Sequence, residues 1–346
     1  MIDGKLLIAP TCYHVLHLIP VMVAHEMGLF YDEGLRTEAG FRCYEIQRQS
    51  LVPFGLEKFG ITQAMKERSV DIALDVQSRT VFFQRARGAD LYIIAGWRNQ
   101  HVNVWVGAPG IKSLKELKGK RVGVGDLSGN RQWGISIWLR KAGLNLEQDV
   151  EWVTGIFPPT HLEALRTGKI DCGPVAPWEV DNLRKQGFNL LLSLRDQYPN
   201  GRPERVIAAT GAILEDKPMW VKSFLKGMIR AYWFIRDQPH NFDYVNKLEK
   251  RLRLESLAPN ERVGKFVCQS PVDMEGMPFP IDGRPTGFED LLAEEKTAGE
   301  LSYDVPDIKE VCALDLVEEA FQELRERPDL ADQFERVSGV AKRLGY

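Results

Sequence analysis

No run in this sequence of 346 residues comes near the roughly 20 uninterrupted apolar residues that a helix needs to cross a bilayer. Leu6-Leu7-Ile8 is too short for the apolar region of a secretory leader. As written, the chain is expected to be soluble and cytoplasmic, with no membrane span; it would be periplasmic if a leader had been trimmed away. An excess of charge of one sign is also missing. Lys plus Arg number 45 against 48 for Asp plus Glu, and a net charge of -3 gives no general pull toward nucleic acid, which is not expected as a partner. Cysteine is sparse: Cys12, Cys43, Cys172, Cys268 and Cys312 are odd in number, form no CxxC pair and have no zinc spacing. A disulfide framework and a structural metal are thereby disfavoured, and an odd count suits a reducing compartment.

What remains is long enough, at 44% hydrophobic residues, for two separately cored lobes. Lys5 to Ala9 reads as a buried strand, and the polar stretch Thr11-Cys12-Tyr13-His14 leads to a helix expected to begin near Pro20. Gly28 and Gly34 read as two successive helix stops. A helix through Thr62 to Arg68 runs into a strand from Val70 to Leu74. The same grammar returns 100 residues later, where Ala164 to Gly173 matches Ala64 to Ala73 position for position, with Ala and Asp identical. It is either chance between two common helix-to-strand passages or the mark of two lobes of like construction.

Further strand-like runs at Leu91 to Ala95, Val102 to Val106, Arg121 to Val124, Leu190 to Leu192 and Val206 to Ala209 alternate with helical patterns. That alternation predicts an α/β fold of mostly parallel sheets with helices on both faces. Crossings between lobes are placed at Trp97 to Asn103 and Arg205 to Gly211. The expected division is 1–103 with 207–346 as a discontinuous first lobe and 104–206 as an inserted second lobe, with a ligand cleft between them. After Pro218 the spacing of Trp220, Phe224, Met228, Tyr232 and Ile235 predicts a helix with an aromatic core face. Pro259 to Pro285 reads as an irregular excursion that lies over the cleft or along the surface.

Four stretches in order carry a resemblance: Ile19 to Leu35; Ala64 to Leu74 with Arg87-Gly88-Ala89-Asp90; Ile111 to Val124; and Ala164 to Gly173. Together they are similar to the type 2 periplasmic binding proteins, in the SsuA-like group that serves nitrate, sulfonate, taurine and thiamine-precursor transport. The resemblance spans residues 5 to 240, with a weaker echo through Asp304 to Ala320. It implies a two-lobed fold and a binding role in an ABC-type importer, with a small-molecule ligand and a membrane permease complex as partners. It also implies that the loops after the first strand and around Ser78, Ser128 and Trp178 line the cleft.

Ligands of open α/β sheets sit beyond the carboxyl ends of the strands. That rule selects Thr11, Tyr13, His14 and His17 after the first strand, Asp75, Gln77 and Ser78 after the second, and Trp97 and Asn103 at the first crossing. From the second lobe it selects Ser128, Gly129, Asn130 and Arg131, then Trp178 and Glu179. Ser128-Gly129-Asn130-Arg131 opens a helical pattern, so free backbone N–H groups and the Arg131 charge are suited to a carboxylate, sulfonate or phosphate. The bland alternative is a helix cap at Ser128 with Arg131 on a solvated face. Gly123-Val124-Gly125 departs from the dinucleotide spacing GxGxxG, and that reading is rejected.

His14 and His17 stand three apart and His25 with Glu26 follows, yet ordinary histidines outnumber metal ligands, and neither a metal nor a cofactor is predicted. Trp97 and Trp178 suit either stacking on a ligand or lobe packing. Cys172 is expected to fill space in a strand. The competing function is a cytoplasmic enzyme on the same fold, a small aromatic acid decarboxylase or a thiamine-pyrimidine-synthase-like protein. Against the latter, that family's adjacent cysteines are absent and its donor histidine falls near Thr80. A regulatory module would need an effector domain, and no such segment is evident.

Overall fold

The strands divide between two sheets in the computed structural model, which describes residues 6–11, 15–35, 64–65, 67, 70–99, 104–125, 127, 130–156, 160–199, 201–255, 279–297 and 307–343. The order begins with β1 (Ile8–Pro10), α1 (Val15–Glu26), α2 (Leu29–Asp32), β2 (Ile72–Gln77), α3 (Ser78–Arg85) and β3 (Leu91–Arg98). There follow β4 (Val104–Gly107), β5 (Lys120–Gly123), α4 (Asn130–Lys141), β6 (Val150–Val153), α5 (His161–Arg166), β7 (Cys172–Val175), α6 (Val180–Lys185), β8 (Asn189–Ser193) and α7 (Leu194–Gln197). After β9 (Arg205–Thr210) the chain is helical: α8 (Gly211–Asp216), α9 (Pro218–Arg236), α10 (Phe242–Glu255), α11 (Phe288–Thr297), α12 (Ile308–Val311), α13 (Asp315–Arg325) and α14 (Ala331–Arg343).

The first sheet has the order β1-β2-β9-β3 and the second β6-β5-β7-β4-β8. Within each, all strands but one run the same way; β9 and β4 are reversed. Both exceptions enter directly from the other sheet, so neither follows the crossover helix that a parallel neighbour in its own sheet requires. The two orders superimpose in plan, with β5 in the place of β1, β7 of β2, β4 of β9 and β8 of β3.

The repeat read at an offset of 100 is the pivot of that plan. Leu7 donates its N–H to the Asp71 carboxylate at 2.8 Å and accepts the Asp71 N–H at 2.7 Å. Arg121 does the same with Asp171, at 2.8 Å each way. The carbonyls of the two aspartates then accept from the reversed strand's end, Thr210 at 3.2 Å and Ala108 at 2.8 Å. Each aspartate thereby ties three strands together before its own strand begins.

Two boundaries differ from expectation. α1 starts at Val15 and carries Pro20 inside it. Pro20 cannot donate to the carbonyl four residues back, yet Val15, Ile19 and Val23 all lie in the core, and burial of that stripe outweighs the lost bond. Arg205–Gly211 is not a crossing: it forms β9, which pairs with both β2 and β3, and then the start of α8. A run as fully buried as Val206 to Ala209 belongs inside a sheet, and the chain returns from the second sheet in 194–204. The first passage begins after Arg98.

α9 buries the expected Trp220, Phe224, Met228, Tyr232 and Ile235. Phe30 stacks on Phe224 at 5.5 Å, with Gly227 beneath it, where a Cβ would come within 2.4 Å of the Phe30 ring. Of the predicted excursion, 259–278 lies outside the described residues; beyond it the chain packs inward, Phe279 stacking on Tyr232 at 5.3 Å. The predicted helix from Thr62 to Arg68 lies largely outside the described residues, Ala64 and Met65 being helical. Among the described residues no helix is long and apolar enough to cross a membrane.

Candidate functional site

β2 ends in a bulge, its register against β9 shifting between Ala73 and Val76. Asp75 sits there with φ 59°, a left-handed backbone that Asp adopts more readily than most residues. The bulge turns the Asp75 carbonyl to accept from Thr11 Oγ1 at 2.6 Å and from Arg205 Nη1 at 2.9 Å. Its carboxylate is fully buried and lies 3.7 Å from both Arg98 and Arg205, while Glu204 lies 3.8 Å from Arg98. These two arginines and two carboxylates form a charge-balanced buried group at the carboxyl end of the first sheet.

α3 begins immediately after β2. Ser78 is buried, its N–H donates to the Glu204 carbonyl at 3.4 Å, and its hydroxyl has no hydrogen-bond partner among the described residues. From the other sheet comes the first turn of α4, where Trp133 and Ile137 join the first sheet's hydrophobic cluster with Ala9, Val76 and Phe82. α4 therefore bridges the two sheets, its Ile135 and Leu139 lying in the second sheet's own cluster. The Trp133 ring carries the guanidinium of Arg202 at 4.1 Å and that of Arg79 at 5.6 Å. Arg202 also lies 5.0 Å from the Tyr198 ring, is 1% exposed, and none of its guanidinium nitrogens has a hydrogen-bond partner among the described residues. Its backbone is pinned where the two passages touch, the Arg202 N–H donating to the Asn99 carbonyl.

Buried His161, at the start of α5, is held far below its ordinary value, down to about 3, first by burial and then by the nearby Arg131 charge; a backbone hydrogen bond to Ile156 opposes them. This pair belongs to the second sheet's side of α4.

Of the residues selected from sequence, Thr11, Asp75, Gln77 and Ser78 meet at the carboxyl end of β2. Asp75 serves the buried network through its carbonyl and carboxylate. Trp97 is fully buried and packs edge-on against Tyr232 and Phe279, in keeping with the packing alternative of the two its position suited. His17 lies on α1, Asn130 opens α4, and Trp178 with half-buried Glu179 forms a short turn after β7. Tyr13, His14, Asn103, Ser128 and Gly129 lie outside the described residues. Cys172 is buried in β7 and burial pushes its thiol up, which suits a space-filling role. Sequence reasoning missed Arg79, Arg98, Trp133, Arg202 and Arg205. Arg202 was the most findable, an arginine framed by Gly201 and Pro203 just upstream of a predicted strand.

A groove of about 610 Å³ runs along α13, lined by Asp315, Glu318, Phe321 and Glu326 among others. Arg284, whose carbonyl accepts from Asn99 Nδ2 at 2.7 Å, also lines it, but its wall is mostly acidic and unsuited to an anion. Among the described residues, no group of three or more His, Cys, Asp or Glu side chains is placed to hold a metal.

Two mixed sheets of one plan, joined by paired passages, define a type 2 periplasmic-binding-protein fold. The chain belongs to the NMT1/THI5 like family, whose profile matches residues 16–242. Among curated proteins it is 25% identical over 253 residues to the nitrate import ATP-binding protein NrtC of Synechococcus elongatus, a match covering 69% of this chain and 37% of that one. The chain thus spans little more than a third of that relative. Among solved structures, the periplasmic aliphatic sulphonate binding protein SsuA of Escherichia coli aligns with TM-score 0.57 and 17% identity, over 90% of this chain and 92% of the other. The desulfurization enzyme DSZB aligns with TM-score 0.53 and 14% identity, over 92% and 99%. At such identities the structural likenesses speak for the fold alone.

Proposed function

We propose that this chain binds a small anionic organic molecule between its two lobes, as the substrate-binding component of an ABC-type importer. The observation that carries this reading is the placement of Trp133: α4 of one sheet is seated on the carboxyl end of the other, where Arg79 and Arg202 gather on its ring beyond the balanced Asp75 network. Helix starts and the buried Arg202 guanidinium at a strand's carboxyl end favour an anion. The names of the similar proteins, one a nitrate import component and one a sulphonate binder, point to oxyanion cargo and to a permease complex as partner. Such a role places the protein in the periplasm, delivered there by a leader.

The alternative is an enzyme on the same fold, favoured by the likeness to a desulfurization enzyme. Native mass spectrometry of freshly purified protein tests the two together. A retained, unmodified organic anion supports binding; a substrate that is released as a smaller product supports the enzyme. Small-angle scattering should also show compaction when the retained ligand is restored to stripped protein, because each lobe supplies part of the polar set. An unchanged radius of gyration counts against the interlobe site.

A further inference from the structure

We infer that Arg202, Ser78 and the indole N–H of Trp133 together hold an oxyanion of the ligand, with Arg202 rather than Arg131 supplying the charge. This rests on the ligand-binding reading above and specifies its chemistry. Three buried polar groups on three separate segments lack hydrogen-bond partners among the described residues: the Ser78 hydroxyl at the start of α3, Trp133 Nε1 in the first turn of α4, and all three guanidinium nitrogens of Arg202 in the returning passage. They are neighbours. Arg202 lies over Trp133 at 4.1 Å, and the Ser78 N–H bonds to Glu204, two residues beyond Arg202.

What unites the three is that each can donate, and two of them can do nothing else. Buried donors without acceptors are costly, the more so on a charged group. The nearby buried carboxylates are no remedy, since Asp75 and Glu204 face Arg98 and Arg205. A ligand with several acceptor oxygens and negative charge satisfies all three at once. With aromatic rings at 4.1 and 5.0 Å, the guanidinium keeps its in-plane fork of N–H groups for such a partner. Its backbone is immobilised: a Cβ on Gly201 would come within 2.3 Å of Thr286 Oγ1 and 3.2 Å of the Asn99 carbonyl oxygen. The fork is therefore presented from the junction of the passages, where lobe movement displaces it least.

The test is calorimetry and thermal unfolding of the full chain with nitrate, methanesulfonate, benzoate and inorganic phosphate. At least one of the four should bind, and Arg202→Met should weaken it by about ten- to a hundredfold, with Ser78→Ala and Trp133→Phe each weakening it by a smaller factor. Without anions, Arg202→Met should melt no lower than wild type, because it removes a buried charge that has no hydrogen-bonded partner. A lower melting temperature with anion affinity intact would show a purely structural arginine and overturn the inference. Oxyanion binding unchanged in Ser78→Ala and Trp133→Phe would overturn it even if Arg202→Met failed to fold, leaving the anionic-ligand reading in place. Failure of all four oxyanions to bind wild type would overturn both.

Discussion

The strand pair β1–β2 and the strand pair β5–β7 follow one plan, yet they fill the space at its centre differently. In the first sheet Val70 precedes the strand and Ala9 pairs with Ala73. In the second, Ile170 takes the place of Val70, and Gly123 and Gly173 take the places of the two alanines. A Cβ on Gly123 would lie 2.6 Å from Cδ1 and 3.0 Å from Cγ2 of Ile170, and one on Gly173 would lie 2.7 Å from Cδ1. The larger residue before the strand is thus matched by smaller ones within it. Packing constrains the sum of the three volumes and leaves the individual residues free to trade. The backbone pattern around Asp71 and Asp171 survives that trade unchanged.

The largest expected difference between the two halves is in their response to acid. His161 stands in the second half, and its counterpart at an offset of 100, Ile61, cannot titrate. Because the folded value of His161 is lowered from 6.5 to about 3, the unfolded chain takes up a proton first, and stability is lost as pH falls through that window. The slope is at most about 1.4 kcal/mol per pH unit. Urea titrations of wild type and His161→Gln between pH 7 and pH 4 should show a shallower acid limb in the variant; parallel limbs would mean that His161 does not govern it.

Next in size is the volume exchange. Gly123→Ala should destabilise by about 1–3 kcal/mol through overpacking against Ile170. Adding Ile170→Val, which restores the first sheet's pairing of sizes, should recover part of that loss. A double-mutant cycle measures the coupling. Additive effects would show that the two sheets do not share a packing rule.

The smallest effect separates the two aspartates. The Arg121 side chain, hydrogen-bonded to Asp171, holds its carboxyl below the usual range, whereas burial pushes Asp71 above it despite the Leu7 N–H. Asp171 therefore contributes stability above its unfolded value that is lost as pH falls through the lowered one. Asp71 behaves oppositely, its contribution fading as pH rises through the raised one. At neutral pH Asp171→Asn should cost about 1 kcal/mol. Asp71→Asn should cost nothing measurable, and melting curves at pH 7 and pH 3 should bring the two variants together at the lower pH. Equal losses at neutral pH would place both aspartates in one electrostatic role.

The elements of this protein were written largely in local pattern. The strand runs, the glycine stops at 28 and 34, the apolar spacing of α9 and the repeat at an offset of 100 depend on residues within a few positions of one another, and each reappears in the fold. Of the two readings the repeat left open, chance or two lobes of like construction, the matching ties at Asp71 and Asp171 favour the second. Tertiary packing fixed the rest. Pro20 reads as a helix start until the buried stripe from Val15 to Val23 carries the helix past it. Trp97 reads equally as a ligand platform or as packing, and only the fold brings Tyr232 and Phe279 around it. The site's charge shows the limit most plainly: Arg202 drew no notice in sequence, and only the docking of α4 on the opposite sheet sets it on Trp133. Sequence spacing specifies which face of an element is buried, but which element it is buried against depends on contacts between residues some 70 positions apart.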